Sequence, residues 1–162
     1  TEIEELQQQW NDIEDVDQFV NSIGANITLD NSNAAFYRPS TDSIHMPNKA
    51  QFSDAQGYYG TLFHELVHWT GHETRENRKM GTRFGSDKYA FEELVAELGS
   101  AMLSGLTKVE ATPRADHAIY LNNWVQCLRD NPKAIQKAAS LAEKASQFII
   151  NSVNAEPIKQ AA

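Results

Sequence analysis

One cysteine, Cys127, occurs in 162 residues. That excludes an internal disulfide and a cysteine-built zinc cluster, and it fits a reducing cytoplasm. Basic residues are scarce too: 14 Lys and Arg against 22 Asp and Glu leave a net charge of -8 and a pI near 5.0. A domain that grips nucleic acid through phosphates needs a basic face, so direct nucleic-acid binding is not expected. No apolar run is long enough to span a membrane, and no basic segment leads into an apolar one as in a secretory signal. The chain has no initiator Met, as expected of a processed chain or an excised domain. Internal repeats and low-complexity tracts are also missing. What remains, 41% hydrophobic with a mean hydropathy of -0.53, describes one soluble globular domain. We expect that domain over residues 1–152, followed by a frayed tail at 153–162.

The most informative segment is His64-Glu65-Leu66-Val67-His68. On a helix, His64 and His68 stack on one face, where two imidazoles can grip one zinc ion. Glu65 lies one step round, able to reach a water on that ion without binding the ion itself. Leu62, Phe63, Leu66 and Val67 make an apolar stripe, with the histidines on its edge, where a metal would be half shielded. Ser53 or Asp54 can cap the start of this helix, and Gly71 suits its end.

Two histidines need a third ligand. A metzincin would place His at position 74, which is Thr74. Phe91 to Leu103 reads instead as an amphipathic helix with Leu94, Leu98, Ala101 and Met102 buried. Glu93 and Glu97, spaced i, i+4, repel each other unless something neutralises them, and a zinc ion with its histidines would. In a gluzincin arrangement one Glu binds the metal and an acid one turn later holds a ligand histidine. Glu93 is therefore assigned as third ligand and Glu97 as the acid behind a histidine; Glu92 is the rival ligand if the helix is rotated. His72 can be a fourth ligand, a substrate contact or a helix cap. A non-ligand role is favoured, because the Gly71 turn carries its ring off the helix face.

The expected fold class is α+β, mostly helical. Short helices are read over Glu2 to Trp10 and Asp15 to Ser22, the second ended by Gly24. Ile27-Thr28-Leu29, Ala35 to Arg38 and Ser43 to Met46 read as strands joined by tight turns, which predicts a small antiparallel sheet against the zinc helix. Residues 73–88 read as a loop. Helices follow near 114–130 and 133–152, the latter starting at Pro132 and burying Ile135, Ala138, Ala139, Leu141, Ala142, Ala145, Phe148 and Ile149.

The chemistry follows from such a site. Zn2+ on three protein ligands keeps a position for water and lowers its pKa to about 7. Glu65 would take that water's proton and return it to the leaving amine, so the expected substrate is a protein or peptide. An oxyanion donor is also needed, for which His117, Tyr120, Arg114 and Tyr58 are candidates by residue type. An edge strand beside the zinc helix could hold an extended peptide, and Ser43, Ile44, His45 and Met46 are the segment chosen. The acidic balance sustains a different reading: a non-catalytic binding protein that mimics the DNA backbone, its zinc site structural or a relic.

Taken in order, Asp42 to Pro47, Phe52, Tyr58 to His72, Arg75, Arg78, Phe84-Gly85-Ser86, Tyr89-Ala90 and Glu92 to Glu97 carry a resemblance. The chain resembles the metallopeptidase domain of ArdC-type antirestriction proteins. That domain also occurs in TraC-type primases of conjugative plasmids and in large polyvalent proteins of mobile elements. The likeness runs on through Tyr120-Leu121 and Trp124 to the Ala-rich last helix, and covers most of residues 25–150. In that family the domain follows one that binds single-stranded DNA, and nothing in this sequence matches that partner domain. The resemblance implies a zincin-like metallopeptidase fold, zinc held by His64, His68 and a Glu of Glu92 to Glu97, and Glu65 as base. It also implies a setting, a protein carried into a recipient cell that protects incoming DNA from restriction. Arg75 and Arg78 match the family pattern, and an ion pair with the acidic helix is the role expected of them.

Overall fold

The computed structural model describes residues 6–80, 87–110, 125–126 and 129–154. Helix α1 spans Glu14–Ile23, α2 Ala55–Thr70, α3 Asp87–Thr107 and α4 Ala134–Asn154, with strands β1 at Asn26–Asp30, β2 at Phe36–Arg38 and β3 at Ser43–Pro47. A 3-10 turn at Lys49–Gln51 leads from β3 towards α2.

Acidic Glu14, Asp15 and Asp17 favour the positive end of the α1 dipole. The helix has no side-chain cap; the Tyr59 hydroxyl instead accepts from Ile13 N at 3.0 Å and donates to Asp17 at 2.9 Å. Gly24 ends it at φ 80, a left-handed cap that a side chain would strain. Of the helix expected over Glu2 to Trp10, residues 6–10 are not helical and the rest lies outside the described residues. Trp10 packs instead against Tyr58 and Tyr59 and donates to Phe52 O at 3.0 Å.

The sheet is mixed, in the order β1-β3-β2. β2 and β3 form the expected antiparallel hairpin, but β1 runs parallel to β3, pairing Asn26 with Ser43 through to Asp30 with Pro47. β3 takes the centre because its side chains are the apolar ones: Ile44 and Met46 are fully buried, whereas most of β1 is exposed. A strand buried this way needs both of its edges paired.

Helix α2 is the axis of the molecule. Asp54 caps it, accepting from Gly57 N at 2.7 Å. From Tyr58 to Thr70 every residue except Gly60 is buried, because the sheet covers one side and α3 and α4 the others. The helices approach closely through small residues. Gly99, Ser100 and Ser104 of α3 and Ala134, Ala138, Ala142 and Ala145 of α4 face inward. Ala101 and Met102, expected in the α3 stripe, are exposed, and so is Ile135 of α4. Ala138, Ala142, Ala145 and Ile149 are buried as expected, whereas at the α2–α3 crossing the small Gly99 and Ser100 face inward in place of Ala101 and Met102, because close helix packing selects small residues. Of the helix expected near 114–130, residues 125–126 and 129–130 are helical and the rest lie outside the described residues, as does 155–162 of the tail.

Among the described residues, no helix is long and apolar enough to cross a membrane.

Candidate metal centre

α2 stacks His64 and His68 one turn apart, with ring centroids 4.8 Å apart. Both are buried, 6% and 9% exposed, so the centre lies deeper than the half-shielded position expected from the stripe. α3 crosses this face with Glu92, Glu93 and Glu97 turned towards it.

Glu93 enters between the imidazoles, 3.1 Å from Nε2 of His64 and 3.1 Å from Nε2 of His68. The two Nε2 atoms are themselves 3.1 Å apart. Ligand atoms of His64, His68 and Glu93 all lie within 4.8 Å of one another, which makes these residues a group able to hold a metal ion. Imidazole nitrogens with a carboxylate oxygen suit a divalent ion of the zinc type.

The outer edge of each ring faces a different carboxylate. Glu97 Oε1 lies 2.9 Å from His64 Nδ1. His64 Nδ1 is buried, and Glu97 is the charged group it faces. Glu92 Oε1 lies 3.3 Å from His68 Nδ1. With both Nδ1 edges turned to carboxylates, the Nε2 lone pairs are left for a metal. Glu92 is thus placed behind His68, not among the converging donors.

The field of the cluster favours positive charge at its centre. Burial opposes charge on His68, yet Glu92 and Glu93 outweigh it and push its pKa up to about 10. Burial likewise opposes charge on His64, and Glu93 and Glu97 raise its pKa. Burial pushes Glu93 up, but the two imidazoles hold it far below the usual carboxylate range. Glu65 is buried at 6% exposure, and its charge adds to the field at both histidines.

Two arginines tie the segment after α2 back to the helix. Arg78 pairs with Glu92 of α3 at 2.9 Å, the ion pair expected with the acidic helix. Arg75 pairs elsewhere: it stacks 3.9 Å over Trp69, donates to Trp69 O at 2.7 Å and holds Asp42 in the β2–β3 turn. Gly71 is helical at φ -75 rather than left-handed. Its lack of a side chain serves space instead, since a Cβ there would lie 3.0 Å from Arg78 Nη2. His72 turns away, its Nδ1 2.8 Å from Thr74 Oγ1, and it does not join the metal group.

Other expected site residues fall elsewhere. Ser43 to Met46 is not an edge: β3 is paired on both sides, and Ile44 and Met46 are core residues. Ser43 Oγ lies 2.7 Å from Thr41 Oγ1. His45, on the opposite face, contacts Asp30 and Ser32 at 2.9 Å each and stacks on Phe36. Tyr58 is buried in a ring cluster with Trp10, Phe52 and Tyr59. His117, Arg114, Tyr120, Trp124, Cys127 and Phe84-Gly85-Ser86 lie outside the described residues. The places of Glu92 and Arg78 behind His68 were not anticipated. The only available signal was that the second histidine of the motif also needs a partner for its Nδ1.

The sequence pattern of the zincin-like metallopeptidases matches residues 14–141, and the chain belongs to that family. It is 42% identical over 148 residues to the DNA primase TraC of Escherichia coli, covering 91% of this chain and 14% of the primase. It is 41% identical to the uncharacterized protein y4eC of Sinorhizobium fredii, covering 85% of this chain and 44% of that protein. Among solved structures, the antirestriction protein ArdC of plasmid R388 is similar in its Mn(II)-bound form, with a TM-score of 0.80 at 37% identity over 88% of this chain. Its metal-free form gives 0.77 at 40% identity over 91%. The chain spans 53% of ArdC and a far smaller part of the primase.

Proposed function

We propose that this domain is a zinc-dependent peptidase, with His64, His68 and Glu93 holding the ion and Glu65 as general base. The observation that carries the reading is the convergence of the two Nε2 atoms on Glu93 while a separate carboxylate stands at each Nδ1. When bound, zinc supplies a Lewis acid and brings the pKa of water into the neutral range. Glu65, one residue from His64 and buried, takes a proton from the attacking water and passes it to the leaving amine. Glu92 and Glu97 orient the imidazoles. An extended peptide would add at the outer edge of β2, since β3 is covered and β2 lies against α2.

The likeness to ArdC and TraC supports a setting in the cytoplasm of a cell receiving mobile DNA, where the target is a protein of the restriction defence. A DNA-binding function would belong to another part of a longer protein. The alternative of an acidic DNA mimic rests on net charge alone; Glu92 and Glu93 are turned inward and add nothing to an acidic surface.

The test compares Glu65→Gln with Glu93→Ala. Glu65→Gln should keep one zinc per chain and lose peptide cleavage by a factor on the order of 10²–10⁴. Glu93→Ala should lose the zinc. Parent-level cleavage by Glu65→Gln would end the peptidase mechanism.

A further inference from the structure

The geometry around Arg78 points to a role that rests on the metal reading above: Arg78 is a positioning residue that withholds Glu92 from the ion, leaving Glu93 as the ligand of the adjacent pair. Glu92 and Glu93 are both buried and both border His68, Glu92 at its Nδ1 edge and Glu93 at its Nε2 edge. Glu92 stands at the edge of the ring that faces away from the ion, 3.3 Å from Nδ1, so a change of side-chain rotamer is the movement that would bring it towards the metal. A second carboxylate on the ion would fill the position that a catalytic site keeps open for water.

The arginine prevents this by occupying both oxygens of Glu92. Its Nη2 donates to Oε1 at 2.9 Å and its Nε to Oε2 at 3.1 Å. The fork is itself fixed to α2, with Nη1 donating to Thr70 Oγ1 at 2.9 Å and Nη2 to Val67 O at 2.6 Å. Gly71 leaves the space it occupies. Both side chains of the pair are only 6% exposed, so solvent hardly competes for them. A planar fork with parallel donors can hold two carboxylate oxygens at once, which a lysine ammonium cannot do in the same geometry. Held in this way, Glu92 presents Oε1 to His68 Nδ1 and keeps the Nε2 lone pair for the metal.

The test is the visible absorption of the cobalt-loaded chain, whose bands lose intensity as coordination number rises. The parent and Glu92→Gln should both show intense bands, because Glu92 is not a ligand and Gln keeps an acceptor oxygen beside His68 Nδ1. Arg78→Met should lose intensity as the freed Glu92 joins the ion. Arg78→Met with Glu92→Gln should regain it, although a residue that only supported the fold would restore nothing. If Arg78→Met does not fold, Arg78→Lys is read the same way: lost intensity supports the assignment and parent intensity overturns it. Parent bands in Arg78→Met, or bands altered in Glu92→Gln as they are in Arg78→Met, overturn the assignment while leaving the metal centre standing. A parent chain that takes up neither cobalt nor zinc overturns the metal reading, and this inference with it.

Discussion

Gly99 of α3 lies directly against Val67 of α2: a Cβ at position 99 would stand 2.7 Å from Val67 Cγ2 and 3.0 Å from Cγ1. Val67 is the residue before His68, so this contact sets how closely the carboxylates of α3 approach the imidazoles of α2. Gly99→Ala should push the helices apart, costing about 1–3 kcal/mol of stability and weakening metal binding. Val67→Ala in the same chain should return much of both. Thermal unfolding and zinc titration of the three variants would check this, and a fully stable Gly99→Ala would contradict it.

Glu97 acts on His64 from behind. Glu97→Ala should reduce zinc affinity by roughly 10–100-fold without abolishing binding. Glu97→Gln, which keeps an acceptor oxygen beside Nδ1, should lose less. Competition with a chromophoric chelator measures both.

The pH dependence of stability should include a contribution from Asp42. Hydrogen bonding from Arg75 holds its carboxyl below the usual range against the opposing effect of burial. A pKa lowered in the folded state stabilises the fold above the unfolded value of about 3.9, and that stabilisation is lost as pH falls through the folded value. Asp42→Asn is the clean variant, because position 42 has φ 47 and Asn tolerates the left-handed region. It should be less stable than the parent at neutral pH, and the gap should close in acid. A gap that stays constant down to strong acid would exclude the ion pair as its source.

Metal removal should destabilise the chain in a concentration-dependent way. Zinc at a hundredfold excess over its Kd should add about 2.7 kcal/mol to the folded state, and a chelator should remove it. With the His68 pKa raised to about 10, uptake at neutral pH should release protons, detectable by calorimetry in buffers of different ionisation enthalpy. A midpoint indifferent to zinc would mean that the site is not assembled.

The sequence reveals the site where its geometry is local. His64 and His68 follow from helical spacing, and the i, i+4 pair Glu93 and Glu97 marks the face of α3 that meets them. Glu92 was harder to place because its partner Arg78 arrives from a segment without periodicity. Strand order was not legible either. The tight turn between β2 and β3 predicts their hairpin, but nothing local tells β1 to pair in parallel on the far side of β3. Hydrophobic patterning places Met102 and Ile135 on the inward faces of α3 and α4, yet both are exposed, because hydrophobicity marks what can be buried and close packing selects what fits.

β2, an edge strand of the sheet among the described residues and in contact with α2, is only three residues long. A peptide paired there, as proposed above, would be held over very few backbone positions, a weak grip nearly blind to sequence. Under the proposed peptidase reading, selectivity for one target would then come from proximity, another contact raising the local concentration of that target.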